Sequence, residues 1–183
     1  MTRQNLPFVL STSRLALGPL YVVAILRGGA SVGDPLAWEP LAIAGIASLT
    51  DFVDGRLARR LGVSSPVGAR LDVIADGVFL LCALGALAAT GLVSWVLPVA
   101  AALSLGALAR RWNRSPPGRT AIPAGSRGLA DRVGHLAGIL NYGAVLVASG
   151  VPLGLIDPGW LPLASAGVAG VNLAPIALRR IAG

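Results

Sequence analysis

Residues 37–91 read AWEPLAIAGIASLTDFVDGRLARRLGVSSPVGARLDVIADGVFLLCALGALAATG. Two apolar runs, at about 37–57 and 70–91, flank a short polar hairpin, Arg60 to Val67, that holds Gly62 and Pro66. Each run is long enough to cross a hydrocarbon layer about 30 Å thick as a helix of about 20 residues. The runs nevertheless carry four aspartates, Asp51, Asp54, Asp72 and Asp76, out of 8 acidic residues in the whole chain. An aspartate near the centre of a bilayer costs about 2.5–3.5 kcal/mol on the insertion scale, so four without compensation cost on the order of 10 kcal/mol. A membrane fold is expected, and something must compensate those charges.

The rest of the chain agrees with that reading. Of 183 residues, 55% are hydrophobic and 13% charged, and the mean hydropathy is +0.75. A soluble domain of this length needs more polar surface to cover its core. The apolar content excludes disorder. The lone Cys82, in an apolar run, excludes a disulfide scaffold and reads as a small buried hydrophobe. The net charge is +7 and all 15 basic residues are arginine. They gather at the ends of apolar segments rather than on a soluble face, which argues against nucleic acid as a partner.

Further apolar stretches at about 15–33, 93–110, 132–150 and 160–178 bring the expected transmembrane helices to six in an all-α integral membrane domain spanning residues 1–183. Short cytoplasmic loops collect basic residues. With a cytoplasmic N-terminus, the inner segments hold Arg3 and Arg14, then Arg56, Arg59, Arg60 and Arg70, then the arginines from Arg110 to Arg132, then Arg179 and Arg180, leaving Arg27 outside. Both termini are therefore expected in the cytoplasm. Nothing after the first apolar run resembles a signal cleavage site, so that run is expected to stay as structure. The segment Thr2 to Ser13 is expected to lie on the inner leaflet as a short interfacial helix. Trp38, Trp95, Trp112 and Trp160 fall near span ends, as interfacial anchors do.

At about 100° per residue, Asp51, Asp54, Gly55, Ala58 and Arg59 lie within an arc of roughly 140° on the second helix. Gly68, Asp72 and Asp76 recur every fourth residue on the third. The short hairpin makes these helices antiparallel neighbours whose acidic faces can meet. Converging carboxylates suit a hard divalent cation, Mg²⁺ or Mn²⁺. Two such ions about 3.5–4 Å apart are the usual clamp for displacement at phosphorus, and nearby arginines suit phosphate. Two other schemes stay open: Asp–Arg pairs that hold helices together, and a proton or cation path.

In order, Asp51-x2-Asp54-Gly55-x2-Ala58-Arg59-x8-Gly68-x3-Asp72-x3-Asp76 resembles the signature of the CDP-alcohol phosphatidyltransferases, matching at all eight specified positions. The resemblance implies a membrane enzyme that moves a phosphatidyl group from CDP-diacylglycerol to an alcohol and releases CMP, with the active site facing the cytoplasm. It implies that Asp51, Asp54, Asp72 and Asp76 bind two Mg²⁺ or Mn²⁺ ions. It also implies that Asp76 is the base that deprotonates the acceptor, that Gly55, Ala58, Arg59 and Gly68 line the nucleotide and diphosphate pocket, and that the enzyme is a homodimer.

The segment Asn5-Leu6-Pro7-x2-Leu10-Ser11-Thr12-Ser13-Arg14, with Pro19 beyond, is similar to the start of phosphatidylglycerophosphate synthases and favours glycerol 3-phosphate as acceptor. Against this, the chain has no lysine in Gly125–Asp131, where those enzymes carry one. Inositol phosphate or another alcohol remains open, with Arg114, Arg119 and Arg127 as candidate acceptor-binding residues. The reading from a different class is a small ion- or proton-conducting membrane protein. It gives no reason for Gly55, Arg59 and Gly68 at those offsets.

Overall fold

The computed structural model describes the backbone of residues 6–61, 66–114 and 128–181. It describes their side chains except at 6–12, 54–61, 66, 67, 69, 113 and 114. Among the described residues there is no strand. The long helices are α1 (Leu6–Ala24), α2 (Trp38–Leu61), α3 (Pro66–Ala89), α4 (Val96–Arg114), α5 (Leu129–Ser149) and α6 (Leu161–Ile181). A π-helical turn, Ile25–Gly29, follows α1, and a 3-10 turn, Pro158–Trp160, precedes α6.

Five of the six apolar stretches correspond to helices within a few residues; the first requires correction. Among the described residues α1 runs from Leu6 rather than from near Leu15, so over 6–13 the expected interfacial helix is not a separate element but the first turns of α1, and its residues 2–5 lie outside the described residues. Pro7 sits in the first turn, where a proline costs no helical hydrogen bond, no further proline or glycine lies before Gly18 to end the helix, and Ser11, Thr12 and Ser13 are tolerated in mid-helix. The far end also moves. Gly28 adopts φ +114°, a conformation that ends the helical run and that glycine reaches without a side-chain clash. Just beyond, Asp34 accepts a hydrogen bond from the Leu36 amide at 2.7 Å and so opens the way into α2.

Consecutive helices alternate in direction, and two sets of contacts mark the two ends of the bundle. At one end the Gly33 amide donates to the Pro152 carbonyl at 3.3 Å, joining the α1–α2 and α5–α6 connections. At that same end the Ser94 amide donates to Ser165 Oγ at 3.0 Å, tying the start of α4 to α6. Trp38, Trp95 and Trp160 are exposed there, near the starts of α2, α4 and α6. At the other end the Arg70 guanidinium lies 6.0 Å from the centroid of the Trp112 ring. Asp131 Oδ1 there accepts from Arg111 at 2.9 Å and Arg179 at 2.6 Å, clasping α4, α5 and α6.

Packing places α1 against both α3 and α2, whereas direct contact between α2 and α3 is sparse among the described residues. The hairpin helices are thus separated by α1 over much of their length, not packed side by side as their short connection suggested. Helix α1 comes close to α3 because Gly18 has no side chain: a Cβ there would meet Cys82 Cβ at 3.3 Å. The centre of the bundle contains Tyr21, Phe79, Leu84, Leu87, Leu97 and Val145, each fully buried.

Polar groups lie inside with them. Asn141 and Asn172 exchange two hydrogen bonds, at 3.0 and 2.9 Å, between α5 and α6. Tyr21 and Ser149 share a hydrogen bond of 2.6 Å between α1 and α5. Outward-facing positions are apolar instead: Leu26, Leu163 and Ile181 are 72%, 80% and 84% exposed. Polar inside and apolar outside is the arrangement that lipid as solvent selects. Helices at Arg70–Ala89 and Pro158–Ile181 are long and apolar enough to cross a membrane. The protein is a helical membrane protein.

Candidate active site

The site forms where one stripe on each of four helices turns inward. On α3, Asp72, Asp76 and Phe79 follow one another at i, i+4 and i+7. On α1 the matching stripe is Arg14, Gly18 and Tyr21, and on α2 it is Ala44, Ala47 and Asp51. Helix α5 supplies Tyr142 and, two turns on, Ser149. The aromatic rings form the floor. Phe79 stacks on Tyr142 with centroids 5.8 Å apart and meets Tyr21 edge to face at 6.2 Å.

Above that floor the carboxylates of Asp51, Asp72 and Asp76 converge, one oxygen of each lying within 4.8 Å of the others. All three are partly exposed, so the cluster opens outward. The expected meeting of the two acidic faces is therefore present, although α1 stands between their helices. The donor set is entirely carboxylate oxygen in a compact array, which fits a hard divalent cation.

The feature sequence reasoning missed is the centre of this array. Arg14, counted from the sequence only among the inner-leaflet charges and in the N-terminal similarity, is fully buried. Its Nη1 donates to Asp51 Oδ1 at 3.0 Å and closely to Asp76 Oδ1, and its Nη2 donates to Asp72 Oδ1 at 2.8 Å. The planar guanidinium thereby draws on α2 and α3 from α1, a geometry its fork of N–H groups is suited to. The Asp–Arg pairing held open above is thus present. Tyr142, also missed, donates its hydroxyl to Asp76 Oδ1 at 2.9 Å.

Among the remaining expected site residues, Gly68 is exposed near the start of α3, one turn before Asp72. The backbone of Asp54, Gly55, Ala58 and Arg59 continues α2 beyond Asp51, but their side chains lie outside the described residues. Arg114 ends α4 with its side chain likewise outside, and Arg119 and Arg127 lie wholly outside.

The Asp131 clasp sits at the arginine-rich end, just before the expected fifth span. Partial burial pushes its carboxyl up, but the Arg111 and Arg179 guanidiniums outweigh this and hold it below the ordinary carboxylate value.

Comparison with known proteins places this geometry in context. Residues 4–169 match the family described as CDP-alcohol phosphatidyltransferase. A Mycobacterium bovis protein named as a cardiolipin synthase is 31% identical over 160 residues, covering 85% of this chain and 68% of its own. A Mycobacterium tuberculosis protein named as a phosphatidylglycerophosphate synthase is 36% identical over 97 residues, 52% of this chain and 45% of its own. A Salmonella typhimurium CDP-diacylglycerol–glycerol-3-phosphate 3-phosphatidyltransferase is 39% identical over 83 residues, 44% of this chain and 42% of its own. No solved structure matches. With nearly its whole length matched and three of the four signature aspartates, Asp51, Asp72 and Asp76, gathered at one point, this chain belongs to the CDP-alcohol phosphatidyltransferase family.

Proposed function

We propose that this chain transfers the phosphatidyl group of CDP-diacylglycerol to the hydroxyl of glycerol 3-phosphate, releasing CMP. The convergence of Asp51, Asp72 and Asp76 on one point carries the reading. The acceptor is favoured by the similarity of the chain's start to phosphatidylglycerophosphate synthases and by two relatives whose names specify that chemistry.

All six helices cross the membrane in this reading, with both termini and the arginine-rich end in the cytoplasm. Asp51, Asp54, Asp72 and Asp76 hold two Mg²⁺ or Mn²⁺ ions. Bound there, the metal supplies positive charge to the diphosphate and makes CMP a better leaving group. Asp76 accepts the proton of the acceptor hydroxyl, and Tyr142 orients that carboxylate through Oδ1. Gly55, Ala58, Arg59 and Gly68 line the nucleotide and diphosphate pocket, where small residues admit the ligand close to backbone. Arg114, Arg119 and Arg127 take the acceptor phosphate. The opening toward the inner leaflet leaves the lipid tails in the bilayer, and the enzyme works as a homodimer.

One observation favours a second acceptor: the relative named as a cardiolipin synthase covers 85% of this chain, so a lipid alcohol such as phosphatidylglycerol belongs in the test. Purified protein in detergent is given CDP-diacylglycerol and Mg²⁺ or Mn²⁺ with glycerol 3-phosphate, inositol phosphate, inositol, serine or phosphatidylglycerol, and CMP is measured. Glycerol 3-phosphate is expected to give the fastest release. Release with another acceptor alone reassigns the substrate, and release with none, where a working family enzyme succeeds in the same detergent, rejects the activity.

A further inference from the structure

We infer that Arg14 is an exchangeable counter-ion of the carboxylate cluster, and that its guanidinium and a divalent cation take the same oxygens in turn. The inference rests on the metal-binding part of the function proposed above. Asp51, Asp72 and Asp76 are the compact oxygen set, and in each of them it is Oδ1 that accepts from Arg14.

A lone pair directed at an N–H group is not at the same time directed at a metal, and two cations drawing on the same anions repel one another. Co-occupancy is therefore disfavoured on both geometric and electrostatic grounds. Arginine suits an exchanging partner. Its charge is permanent, so it stays a counter-ion to these carboxylates at any physiological pH, and its long stem allows the head to withdraw by rotamer changes while α1 stays packed on α2 and α3.

At Asp76 the Tyr142 hydroxyl keeps its place on Oδ1, while the cation takes the position on that oxygen that Arg14 leaves. Arg14 would thus hold the four helices together and offset part of the negative charge of the three carboxylates until a cation arrives.

Linkage makes this measurable without turnover. If the two cations contend for the same oxygens, removing one tightens the other, by roughly 5- to 150-fold for couplings of ordinary size. Full-length protein in detergent is titrated with Mn²⁺, and bound metal is read by electron paramagnetic resonance for wild type, Arg14→Gln and Arg14→Lys. Arg14→Gln is expected to bind Mn²⁺ at least about tenfold tighter than wild type, with Arg14→Lys between them because it keeps the charge and loses the fork. Thermal unfolding provides the second measurement. Arg14→Gln is expected to melt below wild type without Mn²⁺ and to gain more from saturating Mn²⁺.

A protein recovered only with Mn²⁺ in the buffer supports the same conclusion. Equal or weaker Mn²⁺ binding by both variants, with equal thermal gains, overturns it and makes Arg14 a fixed structural ion. Absence of Mn²⁺ binding in wild type and variants alike overturns the metal site as well, which separates the failure of the parent reading from the failure of exchange alone.

Discussion

Asp76 accepts from both Arg14 and Tyr142 because its oxygen lies where α1 and α5 both reach α3. For Asp76→Asn, the proposed base is lost while the residue keeps its volume. CMP release is expected to fall to background while CDP-lipid binding stays measurable by equilibrium dialysis. Wild-type turnover in that variant would remove Asp76 from the base role. Tyr142→Phe is milder, since the stack on Phe79 survives and only the hydroxyl goes. A hydrogen bond to a charged group is worth about 1.5–3 kcal/mol, so kcat is expected to drop roughly 10- to 100-fold with KM little changed. A rise in KM at unchanged kcat would mean that Tyr142 serves binding instead. Arg14 and Tyr142 were hard to recognise in the sequence for different reasons. An arginine just before an apolar run reads as an interfacial charge, and only the start of α1 at Leu6 places it deep in the bundle. A tyrosine in an apolar run reads as packing until its partner on another helix is known.

At the scale of elements, side-chain pairs join helices that apolar contact alone would not hold in register, since lipid tails compete equally for apolar faces. The reciprocal Asn141–Asn172 pair is such a link between α5 and α6. Asn172→Ala is expected to destabilise the protein by about 0.6–1.7 kcal/mol, between the mean and the maximum found for hydrogen bonds between membrane helices. Replacing both residues by leucine is expected to cost less than the single change, because no orphaned amide remains. Unfolding in mixed micelles compares the three proteins, and a double variant weaker than the single one would refute the account.

The Asp131 clasp joins three helix ends by charge, and its sign with pH follows from the direction of the shift. A carboxyl held low by folding contributes stability above its unfolded value, about 3.9, and loses it as pH falls through the lower folded value. The gap in melting temperature between wild type and Asp131→Asn is expected to be constant above about pH 5 and to shrink below about pH 4. A gap independent of pH would show that the clasp is not acting through ionisation. Helix existence was legible from apolar length, and the acidic cluster from four-residue spacing. The wedge of α1 between α2 and α3 was not, because a short hairpin constrains where two helices meet but says nothing about a third helix entering between them.

For the whole molecule, the proposed topology makes a prediction that does not depend on catalysis. In a Cys82→Ala background, Ser31→Cys lies in the exposed α1–α2 connection at the tryptophan-bearing end, and Ile181→Cys lies at the arginine-rich end. A maleimide that cannot cross membranes is expected to label the first in intact cells and the second only after lysis. The reverse pattern would invert the orientation that the arginines indicate. Six helices follow from hydropathy read segment by segment. How they assemble depends on glycines such as Gly18, whose role is visible only once Cys82 is found opposite it.

The inside-out surface, with Arg14 and Asn172 enclosed and Leu163 and Ile181 facing out, has a thermal consequence. In a water-soluble protein of 183 residues, unfolding raises the heat capacity by about 2–3 kcal/mol/K as apolar area becomes hydrated. Here the apolar faces already meet hydrocarbon, and helices that separate within the bilayer hydrate almost none of that area. The stability curve should therefore be nearly straight with temperature and lack a cold-unfolding limb, so that cooling continues to favour the assembled bundle where it would begin to loosen a soluble one.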